Sequence, residues 1–372
     1  MQPFRNNLAL LLLVGVAILG LFFLPPQPVH GPYSRFDLVS FTSYEAVGIP
    51  DVIGDNLEVM RMINQLGLAR TMEKVAQDSA YEFDDSACHG AAHIVGRMAY
   101  ALLGGEALQQ CTTHCFSGCY HGALQGMGAR SGGSVTALSD EIRTLCSAQD
   151  TVFERSECFH GAGHGFLLYA SYQIDEALGA CASFGAEHAH ECYAGVFMEN
   201  VMGDGSEDRF VESDAHYPCT HYEGEVQEAC YRLQPSHFLD VFEQDFARAT
   251  QECLKAPAFA QPVCFTRLGQ LSGADTTDPP GNTEAFCATV PREFYDECIL
   301  GGLRQVIRVN GIDPSGSAAG FCRHLSSPEA KGICYAQYSH ELPDLFTDRE
   351  VRLRLCTLFE DPYQAACREV AG

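Results

Sequence analysis

The cysteines constrain this chain more than any other feature. Of 18 cysteines in 372 residues, fourteen form a ladder of pairs. The pairs are Cys146 and Cys158, Cys181 and Cys192, Cys219 and Cys230, Cys253 and Cys264, Cys287 and Cys298, Cys322 and Cys334, and Cys356 and Cys367. Partners stand 11 or 12 residues apart, and the first members recur every 34 to 38 residues. A period near 34 is that of stacked helical hairpins, each burying its apolar face only against its neighbours. The interval between pairs wanders from 22 to 27 residues while the interval within pairs stays constant. Constant length is what a covalent closure imposes, so the expected disulfides lie within each pair; bonding between successive repeats is the alternative. Closing one such loop contributes roughly 3 kcal/mol in the chain-entropy description.

Local signals around the ladder are helical. Asp175–Cys181, Phe246–Cys253 and Val351–Cys356 read as helix ends. The segments that open with Cys158, Cys192, Cys298 and Cys334 read as helix starts, three of them preceded by an acidic residue (Glu157, Glu191, Glu297) that complements the helix dipole. A glycine three places after the cysteine (Gly122, Gly161, Gly195, Gly301) costs helix propensity, which predicts close backbone approach between neighbouring helices. No sustained alternation of polar and β-branched residues marks a strand. The fold class expected is therefore all-α: an α/α solenoid of about eight to nine hairpins of about 34 residues, following an N-terminal transmembrane helix.

In period and cysteine placement the layout resembles the Sel1-like and tetratricopeptide superfamily, particularly its secreted, disulfide-stapled members, over roughly residues 60 to 370. The resemblance implies a curved α/α superhelix with a concave face.

The N-terminus carries the compartment signal. Leu8 to Leu24 is an apolar run preceded by Arg5 and followed by Pro25-Pro26. Its 17 residues are just enough to span a bilayer, and the basic flank puts residues 1–7 in the cytoplasm. The expectation is an uncleaved signal anchor over 8–24, with a cleaved signal peptide as competitor. After it come a linker at 25–50, His/Cys-rich repeats at 51–130 and ladder repeats at 131–372. Such a single-pass protein would touch the membrane through one helix and place its bulk in the periplasm or outside the cell. Cysteine usage agrees, because disulfides persist in oxidising compartments. With 48 acidic against 23 basic side chains, a net charge of −25, nucleic acid is excluded as a partner.

Chemistry, if any, rests on histidine. Ten of the 14 histidines fall between His89 and His221. One motif recurs at three equivalent positions: His89-Gly-Ala-Ala-His93, His121-Gly-Ala-Leu-Gln125 and His160-Gly-Ala-Gly-His164. Residues at i and i+4 share a helix face, and equivalent positions of stacked repeats lie side by side. The expected metal ligands are His89, His93, His121, Gln125, His160 and His164, with Glu199 on the adjoining wall. Such a set suits a transition metal ion (Cu, Zn or Fe). Helix starts would also disfavour the imidazolium. Neither a His-Glu-x-x-His general base nor a Gly-x-Ser-x-Gly nucleophile elbow is present, so nothing marks a hydrolase.

Cys88, Cys111, Cys115 and Cys119 depart from the ladder. Cys111–Cys119 with Cys88–Cys115 is the favoured pairing, and a metal site of Cys111, His114, Cys115 and Cys119 is the alternative. Two main functional readings follow. One is a membrane-anchored extracytoplasmic repeat protein binding a transition metal in its N-terminal repeats, for redox chemistry, delivery or sensing. The other is a disulfide-rigidified scaffold whose concave face holds a protein partner, its histidines purely structural. A thiol-exchange protein, a third reading, requires a labile pair in the Cys88–Cys119 region.

Overall fold

The computed structural model describes residues 56–80, 85–130, 135–203, 214–274 and 276–372. The apolar run 8–24 and the linker 25–50, on which the membrane expectation rests, lie outside them. No helix among the described residues is long and apolar enough to cross a membrane.

The described residues form nineteen α-helices and no strand. Two helices, α1 (Asn56–Leu66) and α2 (Leu68–Ala80), lead in. Then come α3 (Asp85–Leu103), α4 (Glu106–Gln110), α5 (Gly118–Arg130), α6 (Val135–Ser147), α7 (Val152–Tyr169), α8 (Ile174–Ala182) and α9 (Ala186–Met202). The middle holds α10 (Gly224–Tyr231), α11 (Gln234–Val241), α12 (Phe246–Lys255), α13 (Gln261–Gly273), α14 (Pro279–Cys287) and α15 (Tyr295–Asn310). The last four are α16 (Ser317–His324), α17 (Pro328–Leu345), α18 (Arg349–Cys356) and α19 (Asp361–Ala371).

Nine disulfides use all 18 cysteines. In the ladder, Cys146 bonds to Cys158, Cys181 to Cys192, Cys219 to Cys230 and Cys253 to Cys264. Further on, Cys287 bonds to Cys298, Cys322 to Cys334 and Cys356 to Cys367. Closure is therefore within each pair, as the constant spacing implied, and bonding between successive repeats does not occur. In the irregular region, Cys88 bonds to Cys115 and Cys111 to Cys119. No cysteine is left as a thiol, which removes the alternative metal site at Cys111, His114, Cys115 and Cys119, since only a thiolate ligates.

The second helix of each hairpin begins before its cysteine, not at it. Helix α7 starts at Val152, ahead of Cys158, because Thr151 and Glu154 form a reciprocal cap there. Thr151 Oγ1 accepts from the Glu154 amide at 3.0 Å, and Glu154 Oε2 accepts from the Thr151 amide at 2.9 Å. Likewise Cys264 lies inside α13, which opens at Gln261, and Cys367 lies inside α19, which opens at Asp361. The unit closed by Cys219 and Cys230 breaks the pattern: Cys219 sits in a short 3-10 turn, and Cys230 closes α10 rather than opening a helix. Pro235 then starts α11, because a proline without an N–H fits only the first turn.

Helices pack in two layers. The inner row runs α3, α5, α7, α9, then α10 and α11, α13, α15, α17 and α19, each against the next. The first helices of the hairpins form an outer row. Burial follows the layers: α7 is buried without interruption from Glu157 to Leu167, whereas α12 buries only Ala249, Thr250 and Cys253. The row also turns back on itself, since α17 packs on α7. The Ile312 amide donates to Thr113 Oγ1 at 2.7 Å, and the Phe116 amide donates to the Arg308 carbonyl at 3.1 Å. Arg308 reaches Glu157 at 3.3 Å, with the carboxylate buried and the guanidinium partly so.

Candidate metal centre

Glycines bring the histidine-bearing helices together. A side chain at Gly122 of α5 would drive into the His93 carbonyl of α3, and one at Gly96 into the Cys119 carbonyl. The same reciprocal relation joins α7 to α9, where Gly195 lies on the His160 carbonyl and Gly163 on that of Cys192. Gly301 and Gly269 repeat it between α15 and α13. Gly161 instead faces the side chains of His121 and Leu124, and Gly90 faces open space. Close approach, expected after each cysteine, therefore holds at Gly122, Gly195 and Gly301.

Five imidazoles converge where α3, α5 and α7 meet. Ring centroids lie 4.5 Å apart for His89/His93, 5.3 Å for His93/His121, 4.4 Å for His121/His164 and 5.1 Å for His160/His164. Potential ligand atoms of His89, His93 and His121 lie within 4.8 Å of one another, as do those of His121, His160 and His164. His121 thus belongs to both triads. Four of the five rings are buried, His121 and His160 each 1% exposed, while His89 is half-buried at the edge of the cluster.

Hydrogen bonds behind the rings decide which nitrogen faces inward. His89 Nδ1 lies 3.0 Å from the Cys115 carbonyl, which can only accept, so Nδ1 carries the proton. Arg97 donates to Gln125 Oε1 at 2.8 Å, which orients that amide. The same Oε1 then receives the His93 Nδ1 proton at 3.3 Å. Glu199 Oε2 receives the His164 Nδ1 proton at 2.8 Å, and Tyr172 donates to Glu199 Oε1 at 3.0 Å. In their neutral forms, all three of these histidines turn a bare Nε2 lone pair into the cluster. Gln125 and Glu199, expected as ligands, stand on the far side of the rings. They are outer partners that set tautomer and orientation, the usual arrangement behind metal-bound histidine.

The inward nitrogens lack the partners they need. With both protons on Nδ1, His89 Nε2 and His93 Nε2 face each other at 3.0 Å lone pair to lone pair. His164 Nε2 lies 3.3 Å from His160 Nε2. Neither nitrogen of His121 has a hydrogen-bond partner, and neither does Nδ1 of His160. An extra proton is a poor remedy because burial disfavours charge. It pushes His89 down to about 4, and, with neighbouring imidazoles adding to it, holds His93, His121 and His160 well below the ordinary histidine range. Burial is the leading cause at every one of these rings. The expected helix-start dipole does not explain His160 and His164, which lie in the middle of α7.

A tetrahedral ion with metal–nitrogen bonds near 2.0–2.1 Å separates its ligand nitrogens by about 3.3 Å. The His160/His164 separation of 3.3 Å matches that edge, and the His89/His93 separation of 3.0 Å is slightly shorter. These histidine groups could hold a metal ion, and the disulfides rigidify the helices that carry them.

Met198, absent from the sequence-based ligand set, lies 3.4 Å through Sδ from His160 Nε2. It stands six residues after Cys192, the register that places Gln125 after Cys119 and His164 after Cys158. His188, near the start of α9, stacks on Phe159 with centroids 4.2 Å apart and belongs to the packing instead.

No family model, no curated protein and no solved structure matches this chain. The likeness to Sel1-like and tetratricopeptide arrays stays one of period and cysteine placement.

Proposed function

We propose that this chain is a membrane-anchored extracytoplasmic helical-repeat protein that holds a transition metal in its five-histidine cluster as a resident centre. The many disulfides support the oxidising, extracytoplasmic setting. The observation that carries the metal reading is the pair of lone pairs facing at 3.0 Å between His89 and His93, their protons committed to Cys115 and Gln125. Two acceptors cannot bond each other, and burial disfavours the proton that would join them. A cation between them satisfies both. Enclosure favours retention of the ion over rapid hand-on, so redox chemistry or sensing fits better than delivery.

The test is metal analysis of the full chain, purified from an oxidising compartment and dialysed without chelator. Wild type should retain at least one equivalent of Cu, Zn or Fe. His89→Ala/His93→Ala and His160→Ala/His164→Ala should each lose metal while keeping wild-type helical circular dichroism. A metal-free wild type that neither holds added Cu, Zn nor Fe would overturn the reading and leave a stapled scaffold.

A further inference from the structure

The cluster has two unlike ends. At one, the inward Nε2 atoms of His89 and His93 meet only each other, and Phe116 lies edge-on to His89 at 5.9 Å. At the other, a thioether joins the nitrogens. Building on the metal reading above, we infer that Met198 is itself a ligand and that His160, His164 and Met198 form a copper site selective for the cuprous ion.

The distances are those of the edges of a tetrahedral coordination polyhedron. With metal–sulfur near 2.3 Å and metal–nitrogen near 2.0–2.1 Å, tetrahedral S···N and N···N edges are about 3.5 and 3.3 Å. The observed edges at His160 Nε2 are 3.4 Å to Met198 Sδ and 3.3 Å to His164 Nε2. His121 supplies a third nitrogen from the facing helix.

Hydrogen bonding alone satisfies neither tautomer of His160. If Nδ1 bears the proton, that N–H is buried without an acceptor, and Nε2 faces only the acceptors His164 Nε2 and Met198 Sδ. If Nε2 bears it, the buried Nδ1 lone pair has no donor. A bound cation at Nε2 uses all three converging lone pairs and leaves only the Nδ1–H without an acceptor. Thioether sulfur is a soft ligand that favours Cu(I), whereas an all-imidazole set accepts Zn and Cu(II) as readily. Met198 occupies the register where the two preceding repeats present Gln125 and His164.

The experiment is a competition titration of the full chain with Cu(I), anaerobically and without thiol reductant, against a chromogenic Cu(I) chelator, with a parallel Zn(II) titration. Met198→Leu changes volume little and removes only the sulfur. It should weaken Cu(I) at least tenfold and leave Zn(II) within twofold of wild type. X-ray absorption of the Cu(I) protein should show a sulfur scatterer at about 2.3 Å that the variant lacks. An unchanged Cu(I) affinity in Met198→Leu, or no sulfur scatterer in wild type, would overturn the Met198 assignment while leaving the histidine centre standing. Failure of wild type to bind either ion would bring down the metal reading itself.

Discussion

At the scale of single residues, the cluster works through proton placement. His89, His93 and His164 each spend one nitrogen on an outer acceptor, which leaves the other free for a metal. The cost of this arrangement falls on the metal-free protein at acid pH. A histidine whose folded pKa lies below its unfolded value of 6.5 binds its proton more readily in the unfolded chain. The contribution to stability is complete above 6.5 and is lost as pH falls towards the folded value, about 4 for His89. His89 alone should cost the metal-free protein roughly 2 kcal/mol between pH 7.5 and 5, and His93, His121 and His160 shift in the same direction. Urea unfolding at the two pH values reads this out, and equal stabilities would contradict it. Which rings gather was legible in the thrice-repeated His-Gly-Ala motif. What each does was not: Gln125 and Glu199 carry donor atoms, and only their position behind the rings shows that they receive protons. Met198 escaped because its side chain matches no histidine pattern, although its distance from Cys192 was there to be counted.

At the scale of elements, the unit that matters is a pair of glycine-faced helices. The reciprocal contacts Gly96/Gly122, Gly163/Gly195 and Gly269/Gly301 join α3 to α5, α7 to α9 and α13 to α15. Only the first two pairs carry the histidines, so the tight packing belongs to the fold and the imidazoles are added to it. Gly195→Ala forces a methyl into the His160 carbonyl and should cost about 1–3 kcal/mol. Gly90→Ala, in open space on α3, should be neutral or gain about 0.5–1 kcal/mol. Thermal or urea unfolding distinguishes them, and equal effects would show that the close approach is unimportant. The need for small residues was readable from glycine's poor helix propensity. That Gly163 and Gly269 reciprocate was hidden, because they follow Cys158 and Cys264 by five residues instead of three. Helix boundaries were misplaced for a local reason: the cap at Thr151 starts α7 well inside the cysteine loop.

At the scale of the molecule, the row of helices closes on itself. A repeat period identifies which neighbours stack but carries no information about how far the row curves. Contacts such as Thr113 with Ile312, 199 residues apart, were therefore beyond reach of the sequence. Arg308 and Glu157 clamp this closure, with side-chain exposures of 13% and 4%. Arg308→Met strands a buried carboxylate and should destabilise by about 3–5 kcal/mol. Arg292→Ala removes a partner of Glu329 from an exposed pair and should cost about 0–1 kcal/mol. Matching losses in urea unfolding would deny the closure its structural role. The closed row holds α7, and with it His160 and His164, from both sides, against α5 and α9 within the layer and against α17 across it. The most direct test of the whole account is anomalous diffraction at the copper, zinc and iron edges from crystals of protein never exposed to chelator. A peak is expected about 2.0–2.1 Å from Nε2 atoms of His89 and His93, of His160 and His164, or of both pairs. Refined density with no anomalous peak in the cluster, and water bridging the five rings instead, would contradict it.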